Sequence, residues 1–373
     1  VEKAGNMKTK KTRILFVAGG FPPAICGIGD YTYLLSRELN SAGFDVEVLT
    51  SDFYGIRACS AGVKIKPDIK SWHYSNSGKI MENIKKAAPE IVHFQYPNIE
   101  YKKNLSFNIL PLLIKKEMKK VKVVETFHDP LSTITILGQL RHALNMRYAD
   151  GLIFTEKEGF DTLPFYLKWL IRNKSTAIIP IASNIKTAKK NPSIRKSLIK
   201  RFSISAKKQI WITFGFLNKV KGYEALFKVY DATKHAWIHL GSVDFNEKYQ
   251  KGFLKEAEKS GVKINFTGFL PEKKIAQYLG AGDAVIFTFE SGVSLRNGSF
   301  LAAKSQGVYI VAFHKDKSGY YKDENVYYVS CGNILGLKTA LLFKKHPKHI
   351  KPDVISWKKI SERHSEFYGK LLK

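Results

Sequence analysis

The segment Thr288-Phe-Glu-Ser-Gly-Val-Ser-Leu-Arg-Asn-Gly-Ser-Phe-Leu-Ala-Ala-Lys-Ser-Gln-Gly307 closes an apolar run over residues 284–289. That run has the continuous hydrophobicity of a strand covered on both faces. Gly292 and Gly298 then permit tight turns, and Ser299 stands in an N-cap place for a short helix through Ala302 and Ala303. A helix that starts at the carboxyl end of a parallel strand gathers unpaired N–H groups where open α/β sheets take their ligands. Arg296 adds a planar cation that matches phosphate geometry, and Glu290 places a carboxylate at the strand end. The same residues also fit a plain surface, with Glu290 and Arg296 as a solvated pair and the glycines as turns. By itself the segment leaves both readings open.

Working outward, strands are predicted over residues 209–214, 236–240, 262–267 and 308–313, with helices over 223–232, 247–259 and 272–279. The first half repeats the alternation. A strand over residues 13–18 leads into a glycine-rich loop ending at Asp30. A helix follows with Tyr31, Leu34, Leu35 and Leu39 at helical spacing, stopping near Gly43, and then a strand over 45–50. Further strands fit residues 90–95, 121–127, 151–155 and 176–180. The fold class is therefore α/β, two Rossmann-like doubly wound domains facing one another. The loop has neither the G-x-G-x-x-G order nor a P-loop lysine, so as a motif it is unspecific. His93 and His128 lie at or near strand ends, where a histidine is commonly a hydrogen-bonded structural group. Asp129-Pro130 after His128 opens a loop at the carboxyl edge, which favours a role for that histidine.

The chain has 373 residues and a formal net charge of +29. Such a charge implies an anionic partner: nucleic acid, an anionic membrane or a phosphorylated substrate. No helix-turn-helix, zinc or RNA-stacking signature accompanies it, which argues against nucleic acid. Cys26, Cys59 and Cys331 are too scattered for a disulfide framework or a metal site and fit a reducing compartment. No secretory signal or transmembrane-length apolar run is visible, and Val1 to Asn6 ahead of Met7 read as an expression remnant. Residues 185–208 hold nine basic side chains, no acidic one and Pro192, which reads as an interdomain connection followed by a basic helix over 194–202. Residues 353–373 form a final amphipathic helix carrying Ile355, Ile360, Phe367 and Leu371.

In this order of elements the sequence resembles the family 4 glycosyltransferases, which have the GT-B fold of two Rossmann-like domains. The resemblance runs over nearly the whole chain from Met7. Phe21-Pro-Pro and Gly27-Ile-Gly-Asp-Tyr31 look like that family's first glycine loop; Ile91-Val-His-Phe-Gln95 and Thr126-Phe-His-Asp129 match its next two strand ends. Gly215, followed six residues later by Lys221-Gly222, matches its G-x5-K-G element, and Phe266-Thr-Gly268 and Gly282-Asp-Ala-Val285 match the strands beside the nucleotide. Trp357, His364 and Tyr368 look like its closing helix, which crosses back to the first domain. The implied domains are residues 7–184 on the acceptor side, 185–352 for the nucleotide sugar, and 353–373 as the returning helix. The resemblance implies a retaining, metal-independent transfer from a nucleotide diphospho-sugar, without a cofactor. Lys221 would neutralise the departing diphosphate, His128 would sit over the sugar, and Glu290 near its hydroxyls. Gly27, Ile28, Gly29, Leu270, Ser294, Arg296, Gly298 and Ser299 complete the implied donor site, Leu270 through its backbone and Ile28 and Gly29 through N–H groups at the phosphates.

Two departures stand out. Phe216 occupies the place of an arginine in the family, and no carboxylate follows Glu290 at the family's second position: the two ways of counting reach Gly298 and Ala302. Arg296 is the candidate replacement cation. The acceptor is expected to be a glycan or a lipid-linked sugar of bacterial cell-surface polysaccharide synthesis, with the protein cytoplasmic and peripheral on the inner face of the cell membrane. Two basic apolar stretches, residues 102–122 and Phe165-Tyr-Leu-Lys-Trp-Leu-Ile-Arg172, are the candidates for an anionic membrane surface. The competing reading makes them core-facing helices with a solvated lysine face. Competing functions are a nucleotide-sugar epimerase of the same fold and a non-catalytic basic membrane scaffold.

Overall fold

The apolar runs become the central strands of two sheets. The computed structural model describes residues 11–24, 26–52, 59–60, 62–97, 101, 104–131 and 134–373. The chain divides into two compact units, one reaching to Ala182 and completed by Ile355–Lys373, the other Ser183–Val354.

The first sheet contains β1 (Arg13–Val17), β2 (Asp45–Ser51), β3 (Cys59–Ser60), β4 (Val63–Ile69), β5 (Ile91–Tyr96), β6 (Lys122–Phe127), β7 (Gly151–Phe154) and β8 (Ser175–Ile178). Its order is β3-β4-β2-β1-β5-β6-β7-β8, parallel except for the β3–β4 pair. The second holds β9 (Gln209–Phe214), β10 (His235–Leu240), β11 (Ile264–Phe266), β12 (Ala284–Phe287), β13 (Ile310–His314), β14 (Gly319–Tyr321) and β15 (Val326–Ser330), ordered β11-β10-β9-β12-β13-β15-β14. Only β14 pairs antiparallel, as an edge hairpin with β15. Successive strand residues feed opposite faces: Leu15 and Val17 enter one core of the first unit, Ile14 and Phe16 the other. Ile210 and Ile212 face one core of the second unit, Trp211 the other.

Three expectations are corrected. The helix expected over 223–232 is a short 3-10 turn, Tyr223–Lys228, which follows left-handed Gly222 and stops before the turn at Asp231. Strands β3 and β4 and the β14–β15 hairpin were not anticipated, because Val63-Lys-Ile-Lys-Pro-Asp-Ile69 alternates charge and carries Pro67. Ser299 is not the N-cap; Asn297 is, and the helix Gly298–Lys304 begins one residue before Ser299.

The final helix, Trp357–Leu372, packs on the helix Gly27–Ser41 of the first unit. It contributes Ile360, Phe367, Tyr368 and Leu371 to the core that holds Ile14 and Phe16. Gly151 makes this approach feasible, since a Cβ there would lie 2.7 Å from the Phe367 ring. Polar links fix the docking. His364 Nδ1–H donates to Ile360 O (2.9 Å), which leaves Nε2 to accept from Tyr31 Oη at 3.2 Å. His93, inside β5, bridges Tyr368 Oη (2.6 Å) and Thr126 Oγ1 (2.7 Å), and its burial holds it well below the usual imidazole range.

Candidate active site

In the first unit the helix Gly27–Ser41 starts directly behind the glycine loop because Gly29 has no side chain: a Cβ there would come 2.7 Å from Gly20 O. Cys26 is the N-cap, and its Sγ accepts the Gly29 N–H at 3.4 Å. This alters the expectation for the glycine loop. The N–H of Gly29 is already taken, Gly27 is exposed and Ile28 half-buried.

His128 follows β6 and is buried. Its N–H donates to Tyr96 O at 2.7 Å, and its carbonyl accepts from Thr155 Oγ1 at 3.3 Å. Gln95 Oε1 accepts from His128 Nε2 at 2.8 Å, so Nε2 bears the proton and Nδ1 is the acceptor. The Tyr31 ring stands edge-on to the imidazole with centroids 4.6 Å apart. Burial, and then His364, push His128 down to about 3. It is therefore a neutral hydrogen-bonding ring at ordinary pH, suited to positioning rather than proton transfer.

In the second unit the carboxyl edge of the sheet carries the remaining candidates. After β9, Gly215 adopts φ +118°, and a Cβ on it would sit 3.7 Å from Ser299 Cβ. Its carbonyl accepts from His239 Nε2 at 3.0 Å, while His239 Nδ1 pairs with Thr213 Oγ1 at 2.8 Å. Lys221 ends a 3-10 turn, Lys219–Lys221, and Gly222 takes the left-handed conformation. A side chain at Gly222 would collide with Thr288 O, which is the physical reason for glycine after the lysine. The turn is tied to the loop after β12 twice, by Glu290 N–H to Val220 O (3.1 Å) and by Thr288 Oγ1 to Lys221 O (3.2 Å).

The Lys221 ammonium rests 3.7 Å from the centroid of the Phe289 ring. Burial lowers it to about 8, so at neutral pH it is a desolvated cation above an aromatic face. Glu290 is exposed, three residues beyond the strand rather than at its end. Ser294, Arg296, Gly298 and Ser299 form one loop and helix start. Asn297 Oδ1 accepts from Ser294 N–H (2.7 Å) and Ser294 Oγ from Arg296 N–H (3.2 Å). Asn297 therefore gives the helix no side-chain cap. Leu270 is half-buried against the core, on the loop after β11.

Four contributors escaped the sequence reading: Gln95, Tyr31 as a ring on His128, His239 and Phe289. Gln95 and His239 lie in strands, Tyr31 in a helix and Phe289 on the loop after β12, each with neighbours distant in sequence. Exposed phenylalanines were also missed as a group. Phe216, Phe245 and Phe269 are 60%, 67% and 78% exposed on the loops after the adjacent strands β9, β10 and β11. Among the described residues no group of three or more His, Cys, Asp or Glu is placed to hold a metal.

No protein-family model matches this sequence, and no curated protein does. Solved structures do match in shape. The chain superposes on sucrose-phosphate synthase from Thermosynechococcus elongatus with a TM-score of 0.76 and 14% identity, over 97% of this chain and 99% of that one. Anabaena HepE in complex with UDP and glucose gives 0.70 at 14% identity, over 96% and 100%. The fold is GT-B. The UDP-GlcNAc 2-epimerase from Methanocaldococcus jannaschii also superposes, at 0.58 and 13% identity over 96% and 100%. A GT-B chain is thus compatible with transfer and with epimerisation, and the choice rests on the site.

Proposed function

We propose that this protein transfers a sugar from a nucleotide diphospho-sugar to a hydroxyl of a glycan or lipid-linked acceptor, with retention and without a metal at the diphosphate. The observation that carries the reading is Lys221: half-buried, lowered by burial alone, and locked by two hydrogen bonds to the loop that bears Glu290. Such a cation is poised for charge that grows on a leaving diphosphate. The bond between the anomeric carbon and the diphosphate oxygen breaks, and the acceptor oxygen bonds to that carbon. The acceptor proton passes to the departing phosphate, since neutral His128 is too weak a base to take it. Ser294, Gly298, Ser299 and the backbone at Leu270 hold the donor, and Glu290 meets the sugar hydroxyls. Exposed Phe269 offers a face on which a base stacks. His128 and the N–H of Ile28 are the first unit's contributions. By the same resemblance the acceptor belongs to bacterial cell-surface polysaccharide synthesis on the inner face of the membrane.

A thermal-shift screen with UDP, GDP and ADP tests this directly. A nucleotide present at 100 times its dissociation constant stabilises by about 2.7 kcal/mol. Melting that ignores all three nucleotides would remove the donor site.

Arg296 supplies the second cation on the diphosphate, in the role that Phe216 cannot fill because its exposed ring has no charge. Arg296→Ala is expected to weaken nucleoside diphosphate binding by roughly tenfold to a hundredfold, as for loss of a charge-assisted hydrogen bond. Arg296→Lys keeps the charge but not the fork, and falls between. Isothermal titration with the nucleoside and its diphosphate separates the cases. Equal losses for both ligands would place Arg296 away from the phosphates.

A further inference from the structure

We propose that the outward faces of the helices Ile136–Tyr148 and Phe165–Ile171 form one apolar ridge that enters the interfacial layer of an anionic lipid bilayer. Ile136, Leu137 and Leu140 are 72%, 72% and 52% exposed, and Phe165 and Trp169 are 84% and 64% exposed. These residues are not stray surface carbons. On each helix they share a side, while His142, Asn145 and Met146, and Leu167 and Ile171, are buried on the other. The two helices pack together, and Tyr166 Oη donates to Gln139 Oε1 at 2.9 Å beside both exposed stripes. Contiguous exposed apolar surface of this kind marks a partner.

Charge selects a lipid over a protein. Residues 136–148 and 164–174 hold no acidic residue, within a chain of net charge +29. Of their five basic side chains Arg147 and Arg172 are exposed and Lys168 half-buried, while Arg141 and Lys174 turn inward onto Asn104 O and onto the carbonyls of Arg147 and Ala149. The Arg172 guanidinium lies 4.3 Å from the Trp169 ring centroid, an aromatic–cation pair suited to the boundary between acyl chains and headgroups. Among the described residues no helix is long and apolar enough to cross a membrane, so contact through this ridge is peripheral.

The other stretch expected to face lipid does not. In the helix Ser106–Glu117, Phe107, Leu110 and Ile114 are core residues, and Lys115 pairs with Asp150. Lys102 and Lys103, at the start of that stretch, lie outside the described residues. Within the described part of that stretch, Lys116, Lys119 and Lys120 are exposed while the apolar face turns to the core.

Cosedimentation of the full chain with phosphatidylcholine vesicles, with and without phosphatidylglycerol, tests the ridge. Binding is expected only with phosphatidylglycerol, weakening as salt rises, with a blue shift of tryptophan emission that Trp169→Phe abolishes. Phe165→Ser/Trp169→Ser and, separately, Leu137→Ser/Leu140→Ser are each expected to weaken binding about tenfold or more without lowering the melting temperature. Wild-type protein that ignores anionic vesicles overturns the proposal, as do both double variants binding like wild type. So does a wild-type dimer in sedimentation velocity that either double variant dissolves, because a second copy would then cover the ridge. Vesicle binding needs no catalysis, so it stands or falls separately from sugar transfer.

Discussion

Lys221→Met is expected to lower turnover about 100- to 1,000-fold, the loss of roughly 3–4 kcal/mol typical when a donor to a developing oxyanion is removed. The fold should survive and gain slightly in stability near neutral pH. The sign follows from burial. In the folded chain Lys221 loses its proton near 8, below the value of about 10.4 for an unfolded lysine. The native state therefore carries a penalty that is full below pH 8 and fades as pH climbs from there toward 10.4. Methionine removes that penalty and can still pack on Phe289. Ligand binding should show the opposite trend, because a diphosphate favours the protonated lysine. Affinity for a nucleoside diphosphate is expected to be flat below pH 8 and to fall about tenfold per unit above it. Initial rates, thermal melts and titration between pH 7 and about 9.5 check all three. A methionine variant with normal turnover, or wild-type affinity indifferent to pH above 8, would take Lys221 out of the phosphate site.

Glu125→Gln is expected to stabilise the first unit at neutral pH by roughly 1–3 kcal/mol, the scale of the linkage cost of a carboxyl that must regain its proton on folding. Glu125 lies in β6 and is 1% exposed. Oε1 accepts from Asn145 Nδ2 at 3.4 Å, and Oε2 has no hydrogen-bond partner. Burial raises this carboxyl well above its usual range, and the Asn145 bond offsets only part of that. The unfolded chain ionises near pH 4.3 and the folded chain much later, so stability is lost as pH rises through the interval between them. The gain from glutamine should be a few degrees of melting temperature at pH 7 and close to nothing at pH 4. Denaturant melts at the two pH values measure it, and an equal gain at both would mean that the charge is not the cause.

Much of the fold was legible because buried parallel strands have a simple signature. Gln209–Phe214 and Glu272–Leu279 fall where periodicity places them, and most other central strands differ by a residue or two. What failed was local and half-exposed. β4 mixes lysines with Pro67, and the β14–β15 hairpin sits at an edge where only one strand is shielded. In the site, Lys221 and Gly222 were picked out only by their resemblance to a G-x5-K-G element; the left-handed glycine behind that spacing shows in the structure alone. Gln95 and His239 were not, since a polar residue within a strand reveals nothing of what it meets across the sheet. The lysine-rich stretch beginning at Lys102 shows a different limit. Amphipathic spacing states that one face avoids water without stating whether core or lipid covers it.

The returning helix has a consequence for the order in which the protein is made. The first unit lacks Ile360, Phe367, Tyr368 and Leu371 until the whole of Ser183–Val354 has left the ribosome. At about 5–20 residues per second, that leaves one flank of its β-sheet covered only by the helix Gly27–Ser41 for on the order of ten seconds. The second unit, whose sequence is contiguous, is free to mature before the first. Removing the last helix would make that temporary state permanent.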